Sequence, residues 1–200
     1  MPLLYHNNNS ISNVTSFAQV PSGSPVLLST ATASASSSIE FTSGIDSTYD
    51  VYYFEFINIH PQTDNIVFKF NLSTDGGSNY NVTKTTTAFN ALHLESGSFS
   101  ELVYDTGQDL AQSTADQSLC LSGADADQAI SGSLFLYNPS STTFVKHFTS
   151  TSSSVAQQDG EFNYFIAGYG NTTSAINAIK FVMSSGNIDA GTIKMYGIKA

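Results

Sequence analysis

The chain has 200 residues, 40% of them hydrophobic but only 11% charged, and a net charge of -10. That length suits one large β domain able to bury its own core without metal or disulfide support. Charged residues fall well below the ~25% usual for globular domains, so the wet surface must be made of Ser, Thr and Asn, which suits strands and turns better than long amphipathic helices. The basic residues are six scattered lysines with no arginine (Lys69, Lys84, Lys146, Lys180, Lys194, Lys199). Phosphate backbones and anionic membranes both demand clustered cations, so neither nucleic acid nor membrane is expected as a partner.

The N-terminus lacks the basic and apolar regions of a signal peptide, and no stretch approaches the ~20 apolar residues of a membrane span. Residues 1–36 are polar and irregular and read as an N-terminal arm, with a low-complexity run from Ser29 to Ser38 of linker-like composition. Residues 37–200 read as the folded domain.

Strand signals begin at Val51 to Ile59, rich in β-branched and aromatic residues, with Tyr52, Phe54 and Phe56 on one face and Tyr53, Glu55 and Ile57 on the other. Ile66 to Ser73 alternates cleanly, with Ile66, Phe68, Phe70 and Leu72 inward and Val67, Lys69, Asn71 and Ser73 outward. Asp75-Gly-Gly77 then forces a turn. Phe89 to Leu94 fits a short helix or an edge strand, and Phe99 to Tyr104 fits a strand. Asp105 to Asp127 reads as a long loop holding one short strand, Ser118 to Leu121; ordered loops of that length are often functional. Further strands are expected at Ser131 to Tyr137, Thr142 to Ser150, Phe162 to Ala167, Ile176 to Met183 and Thr192 to Ile198. Eight or nine strands with frequent turns and no long helix predict an all-β, antiparallel two-sheet sandwich of jelly-roll type.

Searching the same residues for chemistry yields no assigned catalytic, cofactor-binding or metal-binding site. There is no Gly-x-Ser-x-Gly elbow. Cys120, the sole cysteine, sits between Leu119 and Leu121 and reads as a small core residue. The histidines His6, His60, His93 and His147 show no ligand spacing. Asp125 and Asp127, like Asp46 and Asp50, are too few oxygens for calcium and read as solvated turns. Glycoside hydrolysis needs two opposed carboxylates, and Glu40, Glu55, Glu95, Glu101 and Glu161 are isolated in sequence. Tyr52, Tyr53 and Tyr80 are candidates for a sugar platform, with packing as the alternative. Gly168-Tyr-Gly-Asn171 reads as a strand-ending turn.

Three segments carry a resemblance: Ser73-Thr-Asp-Gly-Gly-Ser-Asn-Tyr80, Ser131-Gly-Ser-Leu-Phe-Leu-Tyr-Asn-Pro-Ser140, and Ala175 to Ile198 with its Ser-Gly-Asn-Ile turn and closing Gly-Thr-Ile-Lys-Met-Tyr-Gly-Ile strand. Together, over residues 40–198, they resemble a β-sandwich family of virion proteins of tailed phages. The resemblance implies a non-enzymatic structural protein of the virion, assembled in the host cytoplasm. Capsid decoration is the foremost role, with tail fibre or other appendage as the alternative. It implies partners among the major capsid or tail proteins and a homo-oligomer, by analogy a trimer. It carries no catalytic residues. A lectin-like module that binds a glycan is the reading from a different class.

Overall fold

A computed structural model describes residues 23–199. The strands are β1 (Val26–Thr32), β2 (Ile39–Phe41), β3 (Val51–Pro61), β4 (Ile66–Ser73), β5 (Lys84–Leu94), β6 (Ser100–Tyr104), β7 (Gln117–Ser122), β8 (Ile130–Tyr137), β9 (Lys146–Ala156), β10 (Gly160–Gly170), β11 (Ala178–Met183) and β12 (Ile188–Ile198). They form an eight-stranded antiparallel sheet, ordered β1-β12-β3-β8-β9-β10-β5-β6, and a four-stranded one, ordered β2-β11-β4-β7. The all-β, two-sheet expectation holds.

The connectivity is that of a jelly roll with additions. Without β1, β9, β10 and β12, the remaining strands lie in two sheets, β2-β11-β4-β7 and β3-β8-β5-β6. Successive strands of this set then cross between sheets in the double Greek-key order, except β5 and β6, which pair as neighbours in one sheet. The long β9–β10 hairpin is inserted between β8 and β5, and β12 and β1 extend the opposite side.

Alternation explains the layers. Tyr52, Phe54 and Phe56 of β3 face Phe68 and Phe70 of β4, and all are at most 2% exposed. Phe181 of β11 sits at the centre, with ring centroids 5.6 Å from Phe54, 5.3 Å from Phe56 and 5.8 Å from Phe68. Most pairs in this cluster are tilted or edge-on, the geometry ring quadrupoles favour. Tyr52 carries a polar tip into this core. Its hydroxyl accepts from Asp46 N at 2.8 Å and donates to Asp46 O at 3.0 Å.

Several elements differ from the sequence reading. Phe89 to Leu94 is strand, the second half of β5, which begins at Lys84. Residues 26–32, assigned by composition to the arm, are β1, hydrogen-bonded along β12. Residues 1–22 of the arm lie outside the described residues. The strand expected from Thr142 to Ser150 is displaced: β9 starts at Lys146 and runs on to Ala156, and its inward positions Ser150, Ser152 and Ser154 are buried hydroxyls, not apolar groups.

Candidate functional surfaces

Unequal sheet widths create the first surface. Where the eight-stranded sheet overhangs its partner, β6 is the edge strand, with no strand beyond it among the described residues, and all five of its residues are exposed. Leu102 is 74% exposed, Tyr104 50% and Val103 40%, with Phe99 at 48% just before the strand. Leu94 N donates to Phe99 O and Asp105 N to Ala88 O. By antiparallel alternation Glu101 and Val103 therefore bond to β5, while Ser100, Leu102 and Tyr104 aim their N–H and C=O groups away from the sheet, where no described strand meets them. Proline and bulges, the usual guards of such an edge, are missing from β6, and its single charge is Glu101.

The outer face of the same sheet is the second surface. Its register builds a continuous row from Tyr196 through Tyr53, Phe135, Thr149 and Ala167 to Thr87. Tyr53 lies 4.8 Å from Phe135 and 5.5 Å from Tyr196, ring centroid to ring centroid. A neighbouring row sets Phe165 against Phe89, stacked at 4.9 Å, with Tyr104 beyond. Between the ring clusters Ala167 leaves a depression of about 330 Å³, edged by Thr85, Thr87, His147, Thr149 and Tyr169. Its lining has hydroxyls and rings but no carboxylate or ammonium.

A third region is a polar pocket of about 540 Å³ at the bulged end of β3 and β12, lined by Asn58, His60, Asp127, Gln128 and Asp189. His60 Nδ1 is 3.7 Å from Asp189, and Nε2 is 3.2 Å from the Asp125 carbonyl. Among the described residues no group of three or more His, Cys, Asp or Glu is placed to hold a metal. No described helix is long and apolar enough to cross a membrane.

The fourth is buried. Lys84 Nζ, fully enclosed, donates to Asn71 Oδ1 at 2.5 Å and to Val82 O at 2.8 Å. Asn71 Nδ2 donates to Asp116 Oδ1 at 2.8 Å and Thr114 O at 3.0 Å. Burial pulls the Lys84 amine down to about 8, partly opposed by the charge of Asp116. Nothing in the sequence singled out this lysine, because an isolated Lys ordinarily reads as surface.

The candidates named from sequence scatter. Cys120 is buried in β7, donates to Ser154 Oγ at 3.1 Å, and has its thiol pushed up to about 12 by burial. Asp46 serves Tyr52 and Thr48, and Asp50 lies 3.7 Å from Lys199. Glu55 takes Tyr196 and Lys194, Glu161 takes Ser153, and Glu40 takes Tyr80. Of the three tyrosines, Tyr52 is core, Tyr53 belongs to the outer row, and Tyr80 stacks under Lys180 at 5.2 Å. Gly168 and Gly170 lie within β10, not in a turn. Compared with family models, curated proteins and solved structures, the chain matches none.

Proposed function

We propose that the chain is a non-enzymatic assembly protein, a structural component of a tailed-phage virion, with capsid decoration ahead of a tail appendage. The observation that carries the assembly part is the free, apolar β6 edge. An edge of this kind is a template for strand addition, and the occupant that suits it best is a second copy of the chain. The virion setting rests on the three segments quoted above and on fold-level analogy, since jelly rolls recur in capsid proteins.

The edge is self-complementary in one register. A two-fold axis at Leu102 pairs Leu102 with its own copy and Ser100 with Tyr104, the residues whose backbone groups point outward, for about six inter-chain hydrogen bonds. Glu101 then faces the partner's Val103. Centring the axis on Glu101 would oppose two carboxylates, and centring it on Val103 would oppose Glu101 to Asp105, so like-charge repulsion disfavours both. Covering the exposed side chains and backbone on two copies removes on the order of 1,000 Å² from water, near the lower bound for a specific interface. The arrangement predicts an even-numbered assembly, in contrast to the trimer that the resemblance implies.

The test has two arms. Purified particles of a phage encoding the chain should contain it at a fixed stoichiometry; its absence from such particles overturns the virion role. Leu102→Cys should form an inter-chain disulfide under mild oxidation, because the two Cα atoms would lie about 5.5 Å apart across a hydrogen-bonded pair. Failure to cross-link would overturn the register.

A second reading has its own observation. The depression offers the Tyr169 ring and threonine hydroxyls together, and the row that edges it runs on through Phe135 to Tyr53 and Tyr196, so stacking faces and hydroxyl partners share one surface, the combination a neutral sugar requires. A glycan array probed with the full chain tests it. Binding that Tyr53→Ala and Tyr169→Ala abolish would support it, and an array without hits would remove it.

A further inference from the structure

We propose that Lys84 and Asn71 join spontaneously as an isopeptide bond, a covalent cross-link between β5 and β4 that the chain makes on itself.

Lys84 is 0% exposed, yet its hydrogen-bond acceptors are two neutral oxygens, Asn71 Oδ1 and Val82 O. A buried ammonium without a carboxylate in contact is expensive, and the expense disappears if the nitrogen becomes an amide. Burial also favours the neutral amine, with the lysine brought down to about 8, so about a tenth of it is nucleophilic at pH 7.

Every part that acyl transfer needs is in contact. The nucleophile is Lys84 Nζ, 2.5 Å from Asn71 Oδ1. The electrophile, Asn71 Cγ, is bonded to that oxygen, so the deprotonated amine needs only a local rotation to turn its lone pair from beside Oδ1 onto Cγ, within the attack range of about 3–3.5 Å. Leu72 N–H donates to Asn71 Oδ1 at 2.9 Å and is placed to stabilise the oxyanion that develops there. Asp116 Oδ1 touches the leaving nitrogen, Nδ2, at 2.8 Å, and Thr114 O holds the same nitrogen at 3.0 Å. Asn71 is itself 1% exposed, so water competes poorly for the carbonyl.

The step balances without any co-reactant. The Nζ lone pair adds to Cγ and forms a new C–N bond. Nζ gives up one proton, Asp116 carries one to Nδ2, the Cγ–Nδ2 bond breaks, and ammonia departs. Nothing is oxidised or reduced. Lys146 is the internal control: it too is a buried lysine, but its Nζ donates to the backbone oxygens Phe144 O and Thr172 O, with no carboxamide among its hydrogen-bond partners in the described residues.

Intact-mass spectrometry of the full chain tests this directly. The expected mass is lower than the sequence mass by about 17 Da, one ammonia, and proteolysis should release a branched peptide joining residues 71 and 84. Asp116→Ala, at a partly exposed position, should fold with unchanged circular dichroism and keep the full mass. A chain at full mass overturns the proposal. So does a deficit that persists in Lys84→Met, which would mark a succinimide at Asn71. If Lys84→Met fails to fold, the branched peptide from the unaltered chain decides alone: its presence supports the bond and its absence overturns it.

Discussion

Phe181→Ala is the sharpest probe of the sandwich core. Phe181 is fully buried between the sheets, its ring within 5.3–5.8 Å of Phe54, Phe56 and Phe68 and 6.5 Å from Phe70. Removing a ring of roughly 100 Å³ costs about 2 kcal/mol in lost transfer energy, and an uncollapsed cavity adds about 2.4 kcal/mol at ~24 cal/mol per Å³. Collapse is resisted, because the surrounding rings are anchored on two different sheets. The expected loss is therefore about 4–5 kcal/mol, and for a chain of this length a fall in Tm of about 10–15 °C. Urea titration followed by circular dichroism measures it, with an unchanged m-value as the check that only stability moved. A loss below about 2 kcal/mol would refute the placement of Phe181 at the meeting point of the layers.

Other outcomes follow from single contacts. Tyr52→Phe deletes the hydroxyl that both accepts from and donates to Asp46, and leaves Asp46 N unpaired; about 1–2 kcal/mol should be lost, again by urea titration. Gly191 has a φ of 113°, and a Cβ there would lie 2.5 Å from the Asn58 carbonyl; Gly191→Ala should destabilise by more than ~1 kcal/mol, because both the backbone angle and the space oppose it. Asp75 accepts from Asn79 and Ser73, which pull its carboxyl down to about 2. Its folded value lies below its unfolded one, so what it contributes is present above the unfolded pKa and is lost as pH falls toward 2. Carboxyl titration by NMR should place Asp75 near 2, and Asn79→Ala should move it upward.

The legible parts of the fold were those where inward residues are apolar. Alternation in β3 and the first part of β4 placed Tyr52, Phe54, Phe56, Phe68 and Phe70 on the correct faces, because side-chain period and burial coincide there; at the end of β4 they part, since Asn71 and Ser73, expected outward, are both buried by polar contacts. The same logic failed in β9, where Ser150, Ser152 and Ser154 face inward and hydroxyls hide the period. β1 was hidden by a Ser, Thr and Ala run whose composition also suits a linker. The surfaces were only partly legible. Phe99 to Tyr104 read as a strand, but its edge position depends on sheet order, which sequence periodicity does not carry. The Lys84–Asn71–Asp116 contact joins residues 13 and 45 positions from Asn71, and its burial arises from the tertiary fold alone.

Pairing of two copies of the chain through β6, about an axis at Leu102, is tested most directly by light scattering on the full chain. The unaltered chain should elute at twice the chain mass, Leu102→Lys and Leu102→Glu should each elute at the monomer mass, and an equimolar mixture of the two variants should return to the dimer. A monomeric unaltered chain, or a dimer that Leu102→Lys leaves intact, would contradict it.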